Sequence, residues 1–373
     1  MYYRDTYAKI DCDAIAHNLS LLKKQSSKAL IAVLKANAYG HNDYWAARTA
    51  MESGCCMVAV SSLDEALSLR KQGFYDQILI LGHIRPQHIP IAIEQHVSVS
   101  VISAEWLNQV VACYSDLRKL IFHIKIDTGM NRIGLKKIED VHRAIDLILD
   151  YNGIPEGIFT HYACADSESK EMCEQQFYTF KEIISACEYP FKWVHAENSA
   201  ALLSYEDTLT NAARCGLAMY GISPVKSDLD LHPALSLFTH ITCVKRIKKG
   251  EYVGYGAAFQ AKEDCIIATL PIGYADGFLR TNQGRFLYCS HEWIEVVGRV
   301  CMDQCMVKLP YMLPVGTPVE IISKHCPVTQ MAKDLNTIPY EILCILSDRI
   351  PRKIYYHQQE VAIINNRLHD QNP

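Results

Sequence analysis

A (β/α)8, TIM-like barrel followed by a C-terminal all-β domain is the fold class this sequence predicts, on three observations. Short apolar runs alternate with charged, helix-permissive stretches over roughly the first 220 residues, and eight such repeats can be read there. After about Asp230 the texture changes to alternating or β-branched runs separated by turn residues. Alternating units of this kind build a parallel sheet, and eight of them favour a closed barrel over an open doubly wound sheet. At roughly 150 residues per domain, a chain of 373 residues also suits two domains better than one.

The elements follow in order. Asp13 offers an N-cap, and Ile15, Leu19 and Leu22 fall at helical spacing, so Asp11–Gln25 reads as an amphipathic helix. Ala29–Leu34 is short and continuously apolar, which suits a strand buried on both faces of a parallel sheet. Runs of the same kind are Cys56–Val60, Gln77–Leu81, Val97–Ile102, Leu120–Ile126, Gly157–Thr160, Lys192–His195 and Ala213–Met219. Helix-permissive segments such as Ser62–Gln72, Lys137–Leu149 and Lys170–Ala186 separate them. In the last third, strands are expected at Phe238–Val244, Ile266–Leu270, Trp293–Val297, Met306–Leu309 and Val319–Ile322, with turns at Lys249-Gly250, Asn282-Gln283-Gly284 and Pro314-Val315-Gly316. The boundary falls near His232-Pro233, giving domains 1–232 and 233–373, the first few residues being free to join the β domain.

Composition excludes several classes of function. Hydrophobic residues are 49% and charged residues 21% of the chain, ordinary values that allow a large core and exclude wholesale disorder. Lys and Arg number 37 against 41 Asp and Glu, a net charge of −4 with no basic excess to grip a phosphate backbone, so nucleic acid is not expected as a partner. Fifteen cysteines, and a start at Met1-Tyr2-Tyr3-Arg4-Asp5 without a charged-then-apolar leader, predict a cytoplasmic chain with free thiols. No apolar run approaches the about 20 residues that cross a bilayer, so no membrane partner is expected.

Chemistry is expected where strands end. Lys35 directly follows the first apolar run and opens Lys35-Ala36-Asn37-Ala38-Tyr39-Gly40-His41, which puts an amine on the barrel face that carries active sites. Partial desolvation there would leave it neutral, able to condense with a carbonyl or act as a base. The strand Leu120–Ile126 runs into Asp127-Thr128-Gly129-Met130-Asn131-Arg132-Ile133-Gly134, where Arg132 can grip a carboxylate with its planar fork. Lys125, inside that strand, needs a partner if it is buried. Thr160-His161-Tyr162, His195-Ala196-Glu197-Asn198-Ser199 and Ala213-Arg214-Cys215-Gly216-Leu217 end later strands; Ser199 and Gly216 suit a phosphate site, and Arg214 belongs inside the barrel mouth. In the β domain, Gly254-Tyr255-Gly256, Pro271 to Gly277 and Gly298 to Gln304 carry glycine and tyrosine at turns. The first of these begins like a dinucleotide fingerprint, but Phe259 occupies the third glycine position. Cys301 and Cys305 lack a second pair at zinc spacing, so no metal is expected.

Read in order, Lys35 with Tyr39, Arg132, His161, Arg214, Tyr255, Tyr274 and Met302-Asp303 closely resemble the bacterial alanine racemase family over nearly the whole chain. The resemblance implies a barrel joined to a C-terminal β domain, pyridoxal 5′-phosphate as cofactor, an amino acid as substrate, and a homodimer with shared active sites. It implies that Lys35 holds the cofactor, that Arg214 faces the pyridine nitrogen with His161 behind it, and that Tyr39, Ser199, the backbone at Gly216 and Leu217, and Tyr340 bind the phosphate. Tyr255 would be the second acid–base residue, supplied by the partner subunit. Arg132 would contact that phenol and the substrate carboxylate, Met302 and Asp303 would line the site, and Tyr274 would narrow its entrance. Lys125 matches a lysine that is carbamylated in some members and steadies the following arginine. The implied reaction interconverts L- and D-alanine, supplying D-alanine for peptidoglycan. A serine or broad-specificity racemase and a non-catalytic cofactor carrier are the alternatives, with Tyr340 favouring alanine.

Physical logic agrees with these roles. Racemisation takes a proton from one face of the α-carbon and returns it to the other, which two acid–base groups accomplish without turning the substrate over. Positive charge on Arg132 and His161 would favour a phenolate at Tyr255. An arginine over the pyridine nitrogen is reluctant to donate its proton, leaving the ring a weaker electron sink. Three positions depart from the commonest pattern: Asn42, where glycine is frequent, Glu197 before Asn198, and Pro339 before Tyr340.

Overall fold

The structure, a computed structural model, describes residues 2–368; Met1 and residues 369–373, the outer ends of the two expected domains, lie outside it. The chain divides into two compact units. Ile15–Ala38 with Asp43–His232 form one; the N-terminal stretch to Ala14, Tyr39–Asn42 and the chain from Pro233 form the other.

The first strand, β1 (Tyr7–Asp11), belongs to the second unit. The next eight are β2 (Ala29–Val33), β3 (Met57–Val60), β4 (Ile78–Ile80), β5 (Val97–Val101), β6 (Ile121–Lys125), β7 (Ile154–Phe159), β8 (Trp193–His195) and β9 (Ala212–Cys215). They pair in parallel in chain order, and β9 returns to β2 through Leu30↔Ala213 and Ile31↔Arg214, closing the barrel. Every residue of β3, β4, β5 and β9 is buried; β3 and β4 therefore read as unbroken apolar runs, while β5 and β9 also bury Ser98, Ser100 and Arg214. Helices cover the outside with one apolar stripe each. Ile138–Asp150, for example, buries Val141, Ala144, Ile145 and Ile148 at one-turn spacing. Caps set their starts: Ser62 Oγ accepts from Glu65 N, and Ser103 Oγ from Trp106 N.

Three sequence expectations shift. The helix Cys12–Ser26 is capped by Asp11, whose Oδ1 accepts from Ala14 N at 3.0 Å; Asp13 instead accepts from the backbone of His357 and Gln358. The expected strand Ala213–Met219 ends at Cys215, and Leu217–Tyr220 is a 3-10 turn, because Ser199 Oγ captures the N–H groups of Gly216 and Ala218. Phe238–Val244 is not one strand: it straddles the ends of two, interrupted at Ile241-Thr242.

The second unit continues with β10 (Leu235–His240), β11 (Cys243–Ile247), β12 (Tyr252–Val253), β13 (Phe259–Gln260), β14 (Cys265–Leu270), β15 (Phe286–Cys289), β16 (Glu292–Val297), β17 (Cys305–Leu309), β18 (Pro318–Ile322), β19 (Arg352–Tyr356) and β20 (Gln359–Ile364). One ten-stranded sheet runs β11-β14-β17-β16-β15-β18-β10-β1-β19-β20, and β12 pairs with β13 as a separate ribbon. β10 and β17 alternate buried and half-buried residues, the mark of a sheet with one face on a core. Two short helices, Val328–Asp334 and Pro339–Cys344, lie between β18 and β19. None of the fifteen cysteines is in a disulfide, and among the described residues no helix is long and apolar enough to cross a membrane.

Candidate active site

Lys35 stands one residue beyond the β2–Leu34 run, on the C-terminal face of the barrel, and is exposed. The chain leaves it in a left-handed helical turn: Ala36, Asn37, Ala38 and Tyr39 all have φ between 53° and 55°. L-residues avoid this region because Cβ crowds the following carbonyl, so the turn requires tethers. Glu65 supplies them. Its Oε1 accepts from Ala36 N at 2.7 Å, and its Oε2 accepts from Ser61 N and Ser61 Oγ at 2.7 and 2.9 Å. Asn37 Oδ1 accepts from Asp43 N, and Leu34 O from Ala38 N.

Arg214 ends up inside the barrel mouth, 3% exposed, one residue before the end of β9. Its Nη1 donates to His195 Nδ1 (2.8 Å), and its Nη2 to Thr160 O, Ala196 O and His161 Nδ1 (2.8–2.9 Å). Burial lowers its pKa to about 10, which leaves it cationic at neutral pH. An arginine only donates, so His161 Nδ1 must be a lone pair, the ring proton sits on Nε2, and the ring is neutral. Burial, with Arg214 the next cause, holds His161 well below the ordinary histidine value. The positive charge expected on His161 is therefore absent at neutral pH.

Lys125 closes β6, 4% exposed, with Nζ donating to Ile126 O at 3.1 Å and lying 5.1 Å from the centre of the Phe159 ring. Burial, then Arg214 and Arg132, push its pKa well below that of an ordinary lysine. The following loop is wound around Asp127, whose Oδ1 accepts from Gly129 N and Asn131 N. Burial acts against the charged form, but those two bonds and Lys136 outweigh it and lower the carboxyl pKa. A Cβ at Gly134 would lie 2.6 Å from Asp127 N, so only glycine lets the loop close and present Arg132, which is exposed.

Ser199, 2% exposed, opens a short helix after β8. Its Oγ accepts from Gly216 N (3.0 Å) and Ala218 N (3.2 Å). With both lone pairs engaged, the hydroxyl has only its proton left to offer. Gly216 N is thus committed to Ser199, while Leu217 N begins the 3-10 turn.

The remaining candidates lie in the second unit. Tyr39 and Tyr340 bring their rings to 5.7 Å, tilted by 51°. Tyr255, 71% exposed, sits in a turn after β12 and borders an open depression of about 610 Å³ with Cys301, Met302, Asp303 and Met306. Tyr274 N and Ala275 N donate to Cys301 O and Met302 O, joining two loops that are distant in sequence. A Cβ at Gly273 would lie 2.3–2.5 Å from the Cys301 and Met302 carbonyl groups, so glycine is required there. Asp303 pairs with Arg349 at 2.7 Å.

Residues 10–224 match the family model for the alanine racemase N-terminal domain, and residues 234–354 match the model for the alanine racemase C-terminal domain. The chain belongs to the alanine racemase family. Among the curated members, the alanine racemase of Anoxybacillus flavithermus is 41% identical over 381 aligned residues, covering 98% of this chain and 99% of the relative. A solved structure of alanine racemase from Bacillus anthracis with bound L-Ala-P superposes with a TM-score of 0.93 at 36% identity over 98% of each chain. A histidine racemase from Leuconostoc mesenteroides subsp. sake gives 0.88 at 28% identity, over 95% of this chain and 99% of that one.

The three departures from the commonest alanine racemase pattern have local causes. Asn42 is at φ 75°, a conformation that glycine adopts freely and asparagine tolerates. Glu197 is buried and pairs with Lys28 at 2.9 Å, its carboxyl pKa raised by burial. Pro339 is the first residue of its helix, where the missing N–H costs nothing, so it serves the helix that carries Tyr340. Sequence reasoning missed Glu65 and assigned no part to His195 or His123. Ser62-x-x-Glu65 has the capping-box spacing that flags the first, and a histidine within each of two largely apolar strands flags the others.

Proposed function

We propose that the chain is an alanine racemase using pyridoxal 5′-phosphate, interconverting L- and D-alanine. The observation that carries this is the match to both alanine racemase domains along nearly the whole chain. The barrel residues fit the cofactor: a solvent-facing amine at Lys35, a hydroxyl at Ser199 with only its proton free, and a buried guanidinium at Arg214 suit an aldehyde, a phosphate and a weakly basic ring nitrogen. Tyr39 and Tyr340, with the backbone of Leu217, are assigned to the phosphate as well. Gly216 is given the lesser part of anchoring Ser199, since its N–H is already used. The division near His232-Pro233 separates the domain that holds Lys35, Ser199 and Arg214 from the domain that supplies Tyr255.

When bound, the cofactor acidifies the α C–H of an attached amino acid. Lys35 Nζ and Tyr255 Oη then serve as the two proton-transfer groups, one taking the α-proton and the other returning a proton to the opposite face. Tyr255 comes from the partner subunit in a homodimer, consistent with its exposure in its own chain. Arg132 holds the substrate carboxylate, and Tyr274, Met302 and Asp303 border the entrance. Arg214 stays protonated and keeps the ring from becoming a full electron sink, which limits side reactions. Lys125, buried and depressed in pKa, has the neutral amine that adds to carbon dioxide, forming an N–C bond, releasing a proton and leaving a carbamate beside Arg132. Intact mass and experimental density showing a bare amine would remove that part. The enzyme is assigned to the cytoplasm, with D-alanine for peptidoglycan as its product.

The test is chiral analysis of L-alanine incubated with purified protein and pyridoxal phosphate, with L-serine and L-histidine in parallel. Rapid approach to equal D- and L-alanine is expected, with Lys35→Ala at least about 10³-fold slower. Faster racemisation of serine or histidine than of alanine would overturn the substrate assignment.

A further inference from the structure

A buried row of side chains leads from Arg214 down through the barrel interior, and its inner members have no part in the chemistry above. Arg214 Nη1 donates to His195 Nδ1 at 2.8 Å, His195 Nε2 lies 2.9 Å from His123 Nδ1, and His123 Nε2 lies 3.6 Å from Glu156 Oε2. Neither histidine has any solvent exposure. His195 ends β8, His123 is the middle of β6, and Glu156 is the third residue of β7, so the row descends from the catalytic strand ends toward the strand starts.

Chemistry sets the direction of this row. Arg214 only donates, so His195 must offer a lone pair at Nδ1 and carry its proton on Nε2. That proton points at His123 Nδ1, which must in turn be a lone pair, leaving the His123 proton on Nε2 facing Glu156. Burial, with Arg214 contributing at both, depresses the two imidazoles and keeps them neutral. Glu156 is held by Gln77 Nε2, which donates to the same Oε2 (2.6 Å), and by Lys192 Nζ, which donates to Oε1 (2.9 Å). Burial opposes its charge, yet the His123 imidazole, close at 3.6 Å though not hydrogen-bonded, and the bonds from Lys192 and Gln77 outweigh it and lower its pKa to about 2.

The backbone is built around the row. A Cβ at Gly157 would lie 2.4 Å from His123 Nδ1, and the β6–β7 ladder shifts register between Phe122 and His123. The His195 ring stacks on Phe159 at 4.7 Å and 9°. Reversing the tautomers would aim an N–H of His195 at an N–H of Arg214 and drive the guanidinium out of place.

We propose that Glu156 is a positioning residue for Arg214, acting through His123 and His195: a fixed anion at the base of the barrel keeps both imidazole protons on Nε2, so Arg214 always meets an acceptor and its plane is held. This rests on the reading of Arg214 as the residue facing the cofactor ring, whereas the tautomer order does not.

The experiment uses the full chain labelled with 15N-histidine, with and without pyridoxal phosphate, beside Glu156→Leu and Glu156→Gln. The wild-type chain is expected to show neutral, Nε2-protonated rings at His195 and His123 near neutral pH. Glu156→Leu should lower kcat about tenfold with little change in KM, shift the absorption band of the bound cofactor and divide the His195 signal between two tautomers. Glu156→Gln, whose amide oxygen can still face the His123 Nε2 proton, should recover most of kcat. Nδ1-protonated or doubly protonated His195 in the wild-type chain overturns the proposal. So does a Glu156→Leu variant that loses thermal stability alone and keeps its kcat and cofactor spectrum. If Glu156→Leu does not fold, the wild-type nitrogen signals and Glu156→Gln decide. A chain that binds no pyridoxal phosphate would defeat the functional reading instead, and the histidine signals would still test the row.

Discussion

Apart from the exposed Lys35 and Arg132 of the barrel and the buried Tyr39 of the β unit, the two units treat their candidate residues in opposite ways. In the barrel, Arg214, Lys125 and Ser199 are buried and committed to named partners before any ligand arrives. In the β unit, Tyr255, Tyr274 and Met302 are exposed, and it is the backbone beneath them that is fixed, through Gly273 and the Cys301 and Met302 carbonyls. One unit prearranges its side chains inside its own interior, where electrostatic effects are strongest. The other presents side chains outward from a rigid surface, as suits groups that meet their target outside their own unit.

Three measurements sharpen or break this contrast. Tyr255→Phe has the largest expected effect: racemisation falls by about 10²–10⁴-fold while cofactor binding and thermal stability hold, since an exposed ring holds little of the fold together. Exchange of the α-hydrogen with solvent should survive for one enantiomer and vanish for the other. Unchanged rates for both would take Tyr255 out of the mechanism, and a large drop in melting temperature would erase the contrast itself.

Next, Gly273→Ala forces two loops apart at the β-unit surface and should cost about 1–3 kcal/mol in urea unfolding, with a raised KM because Tyr274 and Met302 move together. A wild-type KM in that variant would mean the loop pair does not set the entrance. The smallest effect concerns the barrel and pH. His123, His161 and His195 have folded pKa values below the unfolded value near 6.5, so the unfolded chain takes up more protons there. Their neutral burial contributes fully above about pH 6.5 and is lost as pH falls, up to about 1.4 kcal/mol per pH unit for each. Urea midpoints measured from neutral to mildly acidic pH should fall accordingly. Replacing His123 by a non-titrating residue should flatten the slope, and an unchanged slope would count against a neutral His123.

Much of the fold was legible because period and burial coincide: β3 and β4 are buried along their whole length and read as unbroken apolar runs. Boundaries failed where a side chain from elsewhere intervened. Nothing near Gly216 in sequence announces that Ser199 will take its N–H and end the strand, and Asp11 and Asp13 are equally good caps until His357 and Gln358 claim the second. The strand-end positions of Lys35 and Arg214 were readable from the apolar runs before them, whereas the part proposed for Lys35 came from the order of motifs along the chain. The state of His161 was not readable, since it depends on an arginine 53 positions away that can only donate. Glu156 was invisible for the same reason, its significance lying wholly in what His123 and His195 pass along.

The left-handed turn after Lys35 has a consequence in the chirality of the chain itself. At Ala36 and Ala38 the backbone occupies the mirror image of the ordinary helical region, which costs an L-residue about 1–2 kcal/mol and a residue of opposite hand nothing. A semisynthetic chain carrying D-alanine at those two positions would relax a strain that every ribosomally made copy must hold. Glycine there should also be tolerated, reversing the usual penalty for Ala→Gly within a helical turn.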